Sequence, residues 1–222
     1  ALPKAKLNGD LPDMPEEPGL SPRQAFFKRA FDIVTSAAGL IATSWIILPA
    51  WALASLDTHR NGFFTQERVG QYGRLFRVIK IRTMRALPGH NSTVTTGADQ
   101  RITRLGRFWR KTKIDELPQL INVLKGDMSL VGPRPDVPGY ADQLQGEDRV
   151  ILSVRPGITG PATLKYRNEE MLLAGQDDPE CFNRDVLWPD KVRLNREYVQ
   201  NWSFGTDVRY VWQTFARSGF SY

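Results

Sequence analysis

The stretch Ile33-Val34-Thr35-Ser36-Ala37-Ala38-Gly39-Leu40-Ile41-Ala42-Thr43-Ser44-Trp45-Ile46-Ile47-Leu48-Pro49-Ala50-Trp51-Ala52-Leu53-Ala54-Ser55-Leu56 runs 24 residues without a charge, bounded by Asp32 and Asp57. About 20 apolar residues carry a helix across the hydrocarbon core of a bilayer, so the run is long enough. It is too long, and too far along the chain, for a secretory leader, although Ala52-Leu53-Ala54 resembles a cleavage site. A buried core helix competes with membrane insertion, and insertion is the stronger reading. Pro49 removes a helix donor and clashes with the turn before it, which predicts a kink at 45–48. Thr43 and Ser44 can return hydroxyl hydrogen bonds to carbonyls that such a break frees. Basic residues flank both ends: Arg23, Lys28 and Arg29 before, Arg60 and Arg68 after. A positive-inside bias therefore does not orient a crossing, and a bent, re-entrant hairpin over 23–57 fits the symmetry better.

Ahead of this run, residues 1–22 contain five prolines and little apolar patterning, as expected of an extended arm. Ser21, Pro22 and Gln24 form a capping-box pattern at its end. Beyond the run, residues 63–68 and 74–82 read as two strands, with Gly70 and Gly73 in a hairpin loop between them. Lys80 and Arg82, two apart, would then share one face. Residues 86–100 are rich in Gly, Ser, Thr and Asn and read as a loop. Residues 101–113 read as a helix, with Leu105, Phe108 and Trp109 on one side and a cationic stripe of Arg104, Arg107 and Lys111. Such a stripe is either a solvated face or an anion-binding one.

The whole chain has 222 residues and a net charge of +6, but the charge is uneven. Between Arg74 and Lys113 there are 11 Lys or Arg against one acid, Asp99, while the remaining residues carry 19 basic and 23 acidic groups. That block attracts anions: nucleic acid, anionic lipid or phosphorylated small molecules. One cysteine, Cys181, excludes a disulfide framework or a multi-cysteine zinc site. Two histidines, His59 and His90, leave little for a His-rich metal site.

The chemistry points to Lys113-Ile114-Asp115-Glu116-Leu117-Pro118-Gln119-Leu120-Ile121-Asn122-Val123-Leu124-Lys125-Gly126. Apolar residues at 117, 120, 121 and 124 have helical periodicity, and Gly126 supplies a stop. Pro118 fits only a first turn, so the helix begins within 115–117, with Asp115 as its N-cap. A cap is the plain structural reading, at about 1 kcal/mol. The functional reading uses the same geometry: the macrodipole holds Asp115 ionised, and an ionised carboxylate can attack phosphorus directly. Lys80, Arg82, the Arg104 stripe or Mg²⁺ would then supply the necessary positive charge. Downstream, Arg134 stands between Pro133 and Pro135, and Arg155 opens Arg155-Pro156-Gly157-Ile158-Thr159-Gly160. Both arginines are thus carried on stiff turns.

Taken together, these residues resemble the bacterial sugar transferase family, the monotopic phosphoglycosyl transferases. The matching stretches are Phe27-Lys28-Arg29-Ala30-Phe31-Asp32, Phe64-Thr65-Gln66-Glu67-Arg68-Val69-Gly70 and Lys80-Ile81-Arg82-Thr83-Met84. The run Ile114 to Gln119, the run Asn122 to Pro135 and the run Arg155 to Gly160 complete them. The resemblance implies transfer of a sugar phosphate from a UDP-sugar to polyprenol (undecaprenyl) phosphate, with release of UMP and with Mg²⁺ as cofactor. It implies work at the cytoplasmic face of the bacterial inner membrane, at the start of surface polysaccharide or glycoconjugate assembly. Asp115 is then the nucleophile and a metal ligand, Glu116 its partner, and Lys80, Arg82, Arg134 and Arg155 the phosphate-binding cations.

The fold expected is α+β and helix-rich. It comprises a kinked re-entrant membrane helix, a small β-hairpin, amphipathic interfacial helices and a catalytic domain over 58–222. The partners expected are the UDP-sugar, the polyprenol phosphate and the phospholipid bilayer, with no nucleic acid and with homo-oligomers admissible. Two departures stand out. Where many relatives break the membrane helix with a Ser-Pro pair, Ser44 precedes Trp45 here and the break moves toward Pro49. The residues after the Pro-Gly turn, Gly160 to Arg167, differ from a common branch, so no sugar preference carries over. The acidic stretch 169–180 reads as an added loop. The C-terminal 207–217 reads either as an interfacial amphipathic helix or as one packed on the core. A membrane-tethered anionic-lipid or nucleic-acid binder, and a catalytically silent scaffold, are the rival functions.

Overall fold

Helix α1 (Pro22–Thr58) begins where the capping box places it: Ser21 Oγ accepts from the Gln24 amide, and Gln24 returns a bond to the Ser21 amide at 2.8 Å. The computed structural model describes residues 19–86 and 99–218, so nearly all of the expected arm and most of the expected loop at 86–100 lie outside it. The helix is one uninterrupted element of 37 residues passing through Ser44 and Pro49. Helical backbone continues across the break that the sequence predicts near Pro49. Pro49 costs one backbone bond, and the neighbouring hydroxyls close on their own helix: Thr43 to the Gly39 carbonyl at 2.7 Å and Ser44 to that of Ile41 at 2.9 Å.

The two faces of α1 are inverted relative to a soluble helix. Its inner face is Lys28, Asp32, Ser36, Ile47, Ala50, Ala54 and Thr58, while Val34, Ile41, Trp45, Leu48 and Leu56 are exposed. Only 17% of its most apolar window is buried, which sets aside the core-helix reading. Both ends rest on the same body. Near the start, Lys28 Nζ donates to the Val131 carbonyl at 2.8 Å and pairs with Asp207. Near the end, Ile47, Ala50 and Ala54 cluster with Ile81 and Trp109, and Arg85 pairs with Asp57 at 2.9 Å.

The hairpin forms as the sequence predicts. Strands β1 (Phe63–Val69) and β2 (Leu75–Ile81) pair antiparallel, with Phe64 opposite Lys80, and the turn closes through Gly73 at φ 76°. Helix α2 (Arg104–Thr112) leads through a single 3₁₀ turn, Ile114–Glu116, to α3 (Gln119–Lys125), which stops at Gly126 (φ 94°). A second, parallel pair that the sequence did not announce follows: β3 (Ser129–Val131) against β4 (Gly157–Thr159). It stacks the two Pro-Gly turns on each other so closely that a Cβ on Gly157 would lie 2.1 Å from the Gly132 amide nitrogen.

The chain then adds α4 (Pro161–Lys165), α5 (Glu169–Ala174), α6 (Pro179–Phe182), α7 (Trp188–Gln200) and α8 (Phe204–Ser218). The acidic stretch is therefore two short helices, not a loop. Helix α8 packs on the core, as one of the two readings of the C-terminus expects, and also keeps an exposed apolar side. Tyr210 and Val211 pack on the core, while Phe204, Val208, Trp212 and Phe215 are exposed along one stripe. Its buried Asp207 accepts from Tyr198 Oη at 2.6 Å and Trp202 Nε1 at 3.1 Å, besides Lys28. Phe31 of α1 meets Phe204 edge-on at 5.2 Å, which joins the two exposed apolar stripes. The result is a helix-rich α+β fold with one long apolar helix and a small hairpin.

Candidate active site

Lys113 ends α2 in the left-handed region (φ 60°), and this turn sends the chain into Ile114–Glu116. The expected N-cap role of Asp115 does not hold. The cap position of α3 falls on Pro118 and has no side-chain bond, because Pro118 stands before the first helical residue and not inside the turn. Asp115 is instead turned inward. It is 8% exposed, and its Oδ1 is buried without a hydrogen-bond partner. Burial, reinforced by the adjacent Glu116 charge, pushes its pKa up to about 6. The macrodipole of a seven-residue helix starting four positions later does not offset this. At neutral pH the group is still mostly ionised.

Glu116 has the opposite environment. Its Oε1 accepts from Lys80 Nζ at 3.1 Å and from Arg134 Nη2 at 3.2 Å. Burial alone would raise its pKa, but Lys80 and then Arg134 outweigh burial and hold it well below the usual carboxylate range. Burial lowers the pKa of Lys80, which Glu116 opposes, whereas Glu116 raises that of Arg134. The dyad is one desolvated, unsatisfied carboxylate beside one neutralised by two cations.

Of the four predicted cations, the fold brings Lys80 and Arg134 to the dyad and leaves two elsewhere. Arg82 lies just past the end of β2, where strand parity no longer aims the side chain. Its guanidinium donates to the carbonyls of Asn61 at 2.8 Å and Phe63 at 3.3 Å, and lies over the Phe64 ring. Arg155 Nε donates to the Gly126 carbonyl at 2.9 Å. There it joins Arg29, which binds the carbonyls of Val123 and Leu124 at 2.6 and 2.9 Å. These two guanidiniums close the C-terminal end of α3, where free carbonyls favour positive charge. The predicted helix-break residues Ser44 and Pro49 lie within continuous α1.

Further charged residues surround the dyad. Arg68 donates to the Pro135 carbonyl at 3.1 Å and to Gln66 Oε1 at 2.7 Å, holding the Arg134 turn to the hairpin. Its pKa is lowered to about 10 by burial, then by Arg134. Asp136 follows the same turn, its pKa raised to about 6 by burial. Lys113 and Arg110 both favour the ionised form of Asp115. Arg68 had a signal: on β1 it shares strand parity with Gln66. Among the described residues no three His, Cys, Asp or Glu gather as a ready metal cage. Desolvated carboxylate, fixed second carboxylate and surrounding cations suit a group that carries phosphate charge.

A family model described as bacterial sugar transferase matches residues 23–220. The chain belongs to the bacterial sugar transferase family. It is 36% identical over 198 residues to the UDP-N-acetylgalactosamine-undecaprenyl-phosphate N-acetylgalactosaminephosphotransferase of Aeromonas hydrophila, covering 87% of this chain and 44% of that protein. It is 38% identical over 182 residues to the uncharacterized sugar transferase EpsL of Bacillus subtilis (strain 168), covering 82% of each. It is 31% identical over 218 residues to the exopolysaccharide production protein ExoY of Sinorhizobium fredii, covering 90% of this chain and 89% of that one. The sugar transferase described here thus spans less than half the length of its Aeromonas relative.

Proposed function

We propose that this sugar transferase moves a sugar phosphate from a UDP-sugar to undecaprenyl phosphate, opening the assembly of a surface polysaccharide or glycoconjugate. The observation that carries the reading is the contrast within the dyad: Asp115 has an unpartnered carboxylate oxygen, while Glu116 is held by Lys80 and Arg134. An Asp115 oxygen attacks the sugar-bearing phosphorus. The bond to the bridging oxygen breaks, and UMP leaves with that electron pair. A phosphate oxygen of the lipid then attacks the same phosphorus and expels the Asp115 carboxylate. No proton has to move in either step, which suits a neighbour as firmly neutralised as Glu116. Glu116 organises the two cations, and these offset the repulsion between anionic nucleophile and anionic substrate.

Mg²⁺ belongs to the same reading. It favours one or two carboxylates plus substrate phosphates over an all-protein cage, and Asp115 supplies a hard oxygen of that kind. Bound there, it would neutralise the pyrophosphate.

The membrane reading rests on α1. Its outer face is apolar, and both ends are tied to one body through Lys28 and Asp57, which supports both ends lying on one side of the membrane; in this reading that is the cytoplasmic side of the inner membrane.

The deciding experiment supplies the purified, membrane-inserted protein with undecaprenyl phosphate, Mg²⁺ and a panel of UDP-sugars, and measures UMP release. Release with at least one donor, and a sugar phosphate bound covalently at Asp115 when the lipid is withheld, is the expected result. No release with any donor would leave the scaffold or lipid-binding readings standing.

A further inference from the structure

Asn122 is 1% exposed, and its side-chain amide is engaged at both ends. Oδ1 accepts from the Ile79 backbone N–H at 3.0 Å. Nδ2 donates to the Arg77 carbonyl at 2.8 Å and to Asp127 Oδ2 at 3.3 Å. Arg77 and Ile79 are alternate residues of β2, opposite Glu67 and Thr65 of β1. In an extended strand, a carbonyl and the N–H two residues later open on the same edge, and a neighbouring parallel strand would bridge them with one residue. The Asn122 amide occupies that place.

The backbone of Asn122 is fixed as well, because its carbonyl accepts from the amides of Gly126, Asp127 and Met128 at 3.1, 3.1 and 3.3 Å. Lys80 follows Ile79 directly, and α3 follows the dyad directly.

We propose that Asn122 is the positioning residue that sets Lys80 against Glu116. Its amide replaces a third strand and fixes β2 to the dyad helix by directional bonds. Apolar burial alone, of Val78 and Val123 in the shared core, is non-directional and would not fix the strand's position along the helix. A shift of about 1 Å in a charged group at a reacting centre can cost ~100-fold in rate. The inference rests on the dyad reading above.

The test uses the full chain in membranes and measures kcat and KM for the UDP-sugar, with thermal melting alongside, for Asn122→Ser, Asn122→Asp, Lys80→Met and the Asn122→Ser/Lys80→Met double variant. Asn122→Ser and Lys80→Met should each lose ~10- to 100-fold in kcat. The double variant should be no slower than Lys80→Met alone, because the two act as one unit. Asn122→Asp keeps the acceptor for Ile79 but sets a carboxylate against the Arg77 carbonyl and Asp127, and should lose kcat in the same way. Multiplicative losses in the double variant, or Asn122 variants with a lowered Tm but a wild-type kcat, would overturn the proposal. So would the absence of cooperative melting in both Asn122 variants, which would make Asn122 a folding residue only. If Lys80→Met transfers normally, it is the dyad reading that fails, and Asn122 has nothing to position.

Discussion

Asp115 and Glu116 are adjacent in sequence and nearly equally buried, at 8% and 9% exposed, yet their charges are treated in opposite ways. Glu116 meets two cations, while Asp115 has a buried oxygen that meets nothing. Two buried carboxylates side by side cannot both be ionised cheaply unless one is neutralised. The fold neutralises Glu116 and leaves Asp115 available.

Replacing the available carboxylate should therefore remove the chemistry and little else. Asp115→Asn is expected to lower transfer by roughly 10³-fold or more, about 4 kcal/mol of barrier. Membrane association should stay intact. Radiolabelled donor, followed by gel analysis of the washed membranes, checks both points, and near-normal turnover would falsify the nucleophile assignment.

The pH dependence follows from the sign of the Asp115 shift. Its pKa is raised to about 6, so the attacking form is lost as pH falls through that value and complete well above it. The kcat/KM for the UDP-sugar should rise with pH to a plateau, with an apparent pKa near 6 that belongs to the coupled pair. Lys80 favours both ionised carboxylates, so Lys80→Met should move this limb to higher pH. An unmoved limb would remove Lys80 from the site.

Much of this site is legible in the residues, and the exceptions have physical causes. The uncharged run announces its helix by length alone, and Gly70 and Gly73 announce the hairpin. Strand parity, which puts Lys80 and Arg82 on one face, holds only inside β2. Parity fails for Arg82 because the strand ends at Ile81. The charge of Arg155 suits phosphate, but helix ends attract guanidiniums equally well, and α3 ends beside it. Helical periodicity does not reveal the 3₁₀ turn that Pro118 permits ahead of α3, which is why Asp115 is not the N-cap. Strands of three residues such as β3 and β4, and helices of four to six such as α5 and α6, are too short for periodicity to register.

The buried pair of Lys28 and Asp207 should be costly to halve. Lys28→Met leaves Asp207 charged in an enclosed site and should destabilise the protein by about 3–5 kcal/mol. Replacing both by apolar residues should recover most of that loss. Thermal melting of the protein in detergent measures both, and equal Tm values for the single variant and the parent would contradict the pairing.

The placement of α1 predicts a labelling pattern. With Cys181→Ser as background, single cysteines at the exposed positions Arg23 and Arg60 should react with a membrane-impermeant maleimide from the same side in oriented vesicles. Opposite sidedness would mean that the helix crosses.

Because the inner face of α1 supplies Lys28 to Asp207, Asp32 to Ser129 and the Leu130 amide, and Arg29 to the last carbonyls of α3, the greasy helix is also an internal beam of the catalyst. Cutting it away would not release a soluble enzyme. It would strip donors and acceptors from Asp207, β3 and the end of α3, so anchorage and competence to fold are inherited together in this chain.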